Sequence, residues 1–92
     1  MIQSFRHKGL KRLYEDDDPR GVLAEHLDKL RNILARLDAA SSAQDMNLPG
    51  LRLRPLKGAS HGLLAVTVRA NWRVTFRFEE GHASEVDYLD YH

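Results

Sequence analysis

Cysteine is absent from the 92 residues, which excludes disulfides, thiolate chemistry and any cysteine-ligated zinc site. Long apolar runs are missing as well. Nothing approaches the roughly 18 consecutive apolar residues of a membrane helix. The start, Met1-Ile2-Gln3-Ser4-Phe5-Arg6, lacks the apolar core of a signal peptide. A soluble, cytoplasmic protein is expected, with no membrane partner. There is no internal repeat, no glycine-rich phosphate motif, no nucleophile elbow and no Ser-His-Asp arrangement. His7, His26, His61 and His82 lack metal-ligand spacing and read as surface or helix residues, so no metal and no cofactor is expected.

The most informative absence concerns charge of one sign. From Met46 through Phe78 there is no acidic side chain, while Arg52, Arg54, Lys57, Arg69, Arg73 and Arg77 all lie there. The other eight bases and all thirteen acids are elsewhere, so a formal net charge of only +1 conceals a cationic part and an anionic part. A cationic face attracts polyanions whatever the net charge says. A merely solvated face would mix both signs.

What is present describes one small domain, residues 1–92. At 42% hydrophobic and 29% charged the chain is too apolar for disorder. A domain of this size buries a modest share of its surface, which favours an open groove over a deep pocket. Ile2 to Phe5 reads as a short strand. Lys8 to Glu15 reads as a helix with Leu10, Leu13 and Tyr14 on one face. Asp18-Pro19 reads as an N-cap with proline in the first turn of a second helix. Its stripe is Leu23, Leu27, Leu30, Leu34 and Leu37, at steps of four and three. The acidic run from Glu15 to Asp18 is then a solvated loop leading into that helix. Residues 39–50 form a linker.

Beyond Gly50 the period changes to two. Leu51 and Leu53 alternate with Arg52 and Arg54. Leu64, Val66 and Val68 alternate with Ala65, Thr67 and Arg69, and Trp72, Val74, Phe76 and Phe78 alternate with Arg73, Thr75 and Arg77. Successive strand side chains point to opposite faces, so each run has a core face and a solvent face. Ala70-Asn71 marks one hairpin, with Asn71 suited to positive φ, and Glu80-Gly81 a second. A last strand carries Val86 and Tyr88. The expected fold class is α+β: a short N-terminal strand, two helices, then an antiparallel meander of about four strands.

On that reading Arg52, Arg54, Arg69, Arg73 and Arg77 share the solvent face as a phosphate-binding patch, since the guanidinium fork suits phosphate oxygens. Lys57 follows on a loop that Gly58 and Gly62 free to approach a ligand. The chain ends on Asp90-Tyr91-His92, three side chains able to move or orient protons. A neutral imidazole at His92 could take a proton from a ribose 2′-OH, and the imidazolium could return one to a leaving oxygen.

These residues also resemble a known family. Met1-Ile2-x-Ser4-Phe5, Pro55-Leu56-Lys57-Gly58, the run from Val68 to Phe76 and the terminal Asp90-Tyr91-His92 resemble the HigB-type killer toxins of the RelE/ParE superfamily. The resemblance spans the whole chain. It implies a RelE-like fold and a ribosome-dependent mRNA endonuclease. A cognate helix-turn-helix antitoxin would neutralise it in a toxin–antitoxin hetero-oligomer. It assigns catalysis to Lys57, Arg69, Arg73, Asp90, Tyr91 and His92, leaving Arg52, Arg54 and Arg77 to hold RNA backbone. Relatives often carry histidine where Arg54 stands, which removes one proton carrier here. Two other functions fit the same fold: a ParE-like gyrase poison without nuclease activity, and a non-catalytic nucleic-acid-binding module.

Overall fold

A computed structural model describes residues 1–58 and 62–91 of the chain. Two helices, α1 (Lys8–Asp16) and α2 (Leu27–Ala39), precede four strands: β1 (Arg54–Pro55), β2 (Leu64–Arg69), β3 (Trp72–Glu79) and β4 (His82–Asp90). The strands form one antiparallel sheet in the order β1-β2-β3-β4. The expected α+β class and four-strand meander are what the chain adopts. The expected N-terminal strand is reduced to two isolated parallel pairings, Ile2 with Ala83 and Phe5 with Val86. Its backbone still covers the β4 edge, for example through the Gln3 amide to the Ala83 carbonyl at 2.8 Å.

The helices pack against one face of the sheet. Leu10 and Leu13 of α1 and Leu30, Ile33, Leu34 and Leu37 of α2 meet Val66, Val68, Val74, Phe76 and Val86 in one core. Each fully buried aliphatic or aromatic side chain there contributes about 1.5–3 kcal/mol. The predicted leucine stripe holds from Leu27 onward, with Ile33 added to it. It fails at its start: Leu23 is exposed, and α2 begins only at Leu27. Asp18 and Pro19 open a separate 3₁₀ turn, Pro19–Gly21, in which the Asp18 carboxylate accepts from the Arg20 amide. A second 3₁₀ turn, Ala24–His26, then leads into α2. The linker holds a third, Ala43–Met46, which tucks Met46 into the core.

The Pro19–Gly21 turn sits against the first turn of α1 through two glycines. A Cβ at Gly9 or Gly21 would run into the other's backbone. At the same end His7 caps α1, its Nδ1 accepting from the Leu10 amide at 3.1 Å. His26, expected as a surface or helix residue, ends the second 3₁₀ turn at the start of α2 and is buried. Its Nδ1 lies 2.6 Å from the Tyr88 hydroxyl, and its ring stands edge-on to Trp72. Trp72 and Tyr88 are 4.7 Å apart between ring centroids. Two helix-side histidines thus tie the loop between the helices to the end of the β3–β4 ladder.

Candidate active site on the open sheet face

The face away from the helices is where the arginines were expected, and cross-strand register decides which of them are there. Partners in a ladder lie on the same side of a sheet. One transverse row runs Arg54, Ala65, Thr75, Asp87 from β1 to β4. The next row is Thr67, Arg73, Leu89. Arg54, Arg73 and Arg77 therefore share the open face. Lys57 is exposed on the segment leaving β1 along its edge. The Leu56 amide, which donates to the Leu63 carbonyl at 2.9 Å, brings that segment alongside β2.

Two expected members are elsewhere. The β2–β3 register slips between Thr67 and Arg69, so that Arg69 pairs with Trp72 rather than continuing the alternation. Trp72 faces the helices, and Arg69 does too, reaching within 3.6 Å of the Glu25 carboxylate. Arg52 has φ 52°, which breaks the extended run before β1 begins. Leu51 is buried and Arg52 is exposed, but the supposed strand Leu51–Arg54 is only the pair Arg54–Pro55. The pairing of Arg52 with Arg54 on one strand face is thereby overturned. The hairpin shows a smaller departure: positive φ falls on Ala70 (51°), the residue before Asn71.

The terminal motif divides in the same way. Asp90 pairs with Trp72 and lines a pocket of about 440 Å³ on the helix side, together with His7, Arg20, Leu23, Trp72 and Tyr88. Tyr91 lies on the other side. Its amide donates to the Asn71 carbonyl at 2.7 Å, and its ring borders an open-face groove of about 160 Å³. The other walls of that groove are Arg6, Leu56, Leu63, Thr75, Asp87 and Leu89. His92 and His61 lie outside the described residues.

The open-face cations differ in how engaged they are. The Arg77 guanidinium donates to Glu85 at 2.6 Å, and a Cβ on Gly62 would collide with its tip. Glu85 also lies 3.8 Å from Arg6. Arg77 thus abuts Gly62, and much of its charge is already balanced. One Arg73 nitrogen donates to the carbonyls of Ala70 and Trp72, which holds its guanidinium over the hairpin. Such carbonyl bonds fix position and leave the full positive charge available. Arg54 and Lys57 have no ion-pair partner among the described residues.

Glu85 and Asp87 were missed by the sequence reading, which saw an acid-free segment and took it for an acid-free surface. The signal was available for Asp87: with Val86 and Tyr88 turned inward, the residue between them points outward. Glu85 carried no such signal, because the register shifts between Thr75 and Arg77 and Glu85 itself has φ 52°. Among the described residues no group of three or more metal-ligating side chains converges, and no helix is long and apolar enough to cross a membrane.

Comparison with known proteins places this arrangement among relatives. A family profile described as the RelE-like toxin of the type II toxin–antitoxin system HigB matches residues 3–92. Endoribonuclease HigB of Proteus vulgaris is 45% identical over 92 residues, covering 100% of both chains. Toxin HigB-1 of Vibrio cholerae serotype O1 is 32% identical over 94 residues, covering 100% of this chain and 98% of its own. Among solved structures, YafQ from E. coli strain BL21(DE3) is similar in fold, with a TM-score of 0.54 at 13% identity, covering 98% of this chain and 91% of that one.

Proposed function

The chain belongs to the HigB-like family of RelE-like toxins from type II toxin–antitoxin systems, and from that premise we propose that it is a ribosome-dependent endoribonuclease that cuts mRNA during translation. The observation that carries the proposal is that Arg54 and Arg73 share one open face with the groove that Tyr91 borders, while Lys57 is exposed on the segment leaving β1. The Proteus vulgaris relative, named an endoribonuclease, supports RNA cleavage over the gyrase-directed and non-catalytic readings. A groove this shallow cannot enclose a polymer, so positioning the mRNA is left to the ribosome.

In the proposed reaction a general base removes the proton of a ribose 2′-OH. The freed oxygen attacks the adjacent phosphorus. The 5′-oxygen of the next nucleotide leaves with a proton from a general acid, and a 2′,3′-cyclic phosphate remains. His92 serves as base or acid, and Tyr91 orients the nucleotide or the imidazole. Arg73 and Lys57 offset the charge that builds on the phosphorane; one preorganised donor of this kind is worth about 3–4 kcal/mol. Arg54 holds RNA backbone, Arg77 is a weaker backbone contact because Glu85 engages it, and Arg52 lies before the strand as a peripheral contact. Arg69 and Asp90, on the helix side, support the hairpin and the chain end. The partner of a type II toxin is its antitoxin; a cytoplasmic hetero-oligomer with a helix-turn-helix antitoxin completes the proposal.

The test is cleavage of end-labelled mRNA on programmed ribosomes, beside ribosome-free RNA and a variant lacking His92. Cuts that require the ribosome and disappear in the variant are expected. A folded protein that arrests growth yet cuts nothing would overturn the nuclease reading.

A further inference from the structure

The groove on the open face contains a feature that phosphate binding does not explain. Asp87 is an acid at the β4 end of a face that also carries Arg54, Arg73 and Arg77, and a carboxylate repels phosphate. Among the described residues it has no ion-pair partner, and its only hydrogen bond is the one its Oδ1 accepts from the neighbouring Tyr88 amide at 2.9 Å. Glu85, by contrast, is engaged by Arg77 and lies near Arg6. Asp87 therefore keeps most of its acceptor capacity, since a carboxylate offers about four lone-pair sites. It is half-buried and lines the groove, while its charge also reaches His7.

The walls around it fit a flat, partly apolar ring. Leu56, Leu63 and Leu89 supply apolar edges, Tyr91 an aromatic face and Thr75 a hydroxyl. The charge layout has a direction. Arg54 stands at the β1 end of the transverse row and Asp87 at the β4 end. With neighbouring strands roughly 4.8 Å apart, three steps separate them by about 14 Å. One end of the row suits a phosphate and the other suits a donor-bearing base. Arg6 is the exception on the β4 side, and its guanidinium lies 3.8 Å from the Glu85 carboxylate.

We propose that this groove is a nucleobase subsite of the nuclease, in which Asp87 accepts N–H donors from a base carrying an exocyclic amino group. The inference rests on the RNA-cleaving reading and specifies its substrate. Adenine, cytosine and guanine each present an amino group, and guanine adds a parallel ring N–H that matches both carboxylate oxygens. Uracil's N–H is flanked by two carbonyl oxygens that repel the carboxylate. Asp87 is thus a specificity residue, selecting against uracil at one fixed position relative to the cut.

Two measurements test it. The first is the cleavage profile of wild type and Asp87→Asn on ribosomes carrying an mRNA library randomised around the cut. Wild type is expected to disfavour uracil about tenfold at one position, the lower range for a good base contact. In the variant that bias collapses or reverses, because the asparagine amide donates to the uracil carbonyls. Asp87→Ser, which retains an oxygen for the Tyr88 amide, replaces it if the asparagine variant fails to fold. An unchanged base profile in a folded variant overturns the proposal. The second measurement is independent of cleavage: NMR titration of the protein with AMP, CMP, GMP and UMP separately. Shifts at Thr75, Asp87 and Leu89 that are larger for the three amino-bearing nucleotides, and lost in the variant, sustain the subsite even if ribosomes are not cut. Equal shifts for all four, or shifts away from the groove, overturn it.

Discussion

Arg69 and Arg73 stand four residues apart around one hairpin, yet they serve opposite sides of the sheet. Arg69 is turned to the helix side by the register slip after Thr67 and meets Glu25 in an exposed pair. Arg73 stays on the open face, held by two backbone carbonyls and free of any acid among the described residues. The surroundings differ in the same sense. On the helix side the polar groups satisfy one another: His7 caps a helix, His26 bonds Tyr88, and Trp72 stacks against them. On the open face Arg54 and Asp87, and beside its edge Lys57, have no ion-pair partner among the described residues. A region whose polar groups are mutually satisfied contributes stability, whereas one with unused capacity is available to a ligand.

The sharpest way to break this contrast is Arg73→Ala. Ribosome-dependent cleavage should fall about 10²–10³-fold, as for loss of one preorganised donor, while urea denaturation shifts by under about 0.5 kcal/mol, as for surface substitutions generally. A large loss of stability, or unchanged cleavage, would remove Arg73 from the site. His26→Ala should do the reverse. It removes one of the two hydrogen-bond partners of the buried Tyr88 hydroxyl, the Leu23 backbone being the other, and leaves a gap among buried rings, together costing about 1–3 kcal/mol in denaturant unfolding. Gly9→Ala should cost a similar amount, about 1–3 kcal/mol, because its Cβ would force the Gly21 backbone away from α1. Wild-type stability in that variant would mean the turn yields freely. Arg69→Ala should have a much smaller effect, under about 1 kcal/mol, as an exposed ion pair usually contributes. If its cleavage defect matched that of Arg73→Ala, the assignment of the two arginines to separate faces would fail as an account of function.

The smallest expected effect concerns pH. Burial holds the His7 pKa below its ordinary value; Asp87 pulls it up and Arg12 pushes it down. The neutral ring is the one that accepts from the Leu10 amide. Between the folded pKa and the unfolded value of about 6.5, only the unfolded chain binds the proton. Stability should therefore decline as pH drops through about 6.5 and level off once the folded protein is protonated too. His7→Asn, which can still cap α1 but does not titrate, should flatten that part of the melting-temperature profile. An identical slope in the variant would assign the pH dependence to other groups.

Much of this was legible in the chain. Period-two alternation located β2 and β3 almost to the residue, and the leucine stripe located α2 from Leu27 onward. Leu23 misled because a side chain in phase with a helix looks alike whether or not the backbone has begun to coil. Here two 3₁₀ turns precede the helix and leave Leu23 at the surface. Segregation of charge along the sequence also overstated its segregation in space. The acid-free run is real, but β4 lies beside β3 and brings Glu85 and Asp87 onto the open face.

What the sequence determined by itself was most of the pattern within elements: which residues alternate in β2 and β3, which recur at helical spacing in α2, where two hairpins turn, and that the cations cluster along the chain. Those follow from backbone geometry and side-chain type over a few neighbouring residues. What only the tertiary structure decided was which side of the sheet each charged residue occupies and which charge it meets there. A slip of one residue in a ladder moves a side chain to the opposite face, and that slip is set by how two strands settle against the shared core. Arg69 and Arg73 read alike as a sequence; the ladder between β2 and β3 separated them.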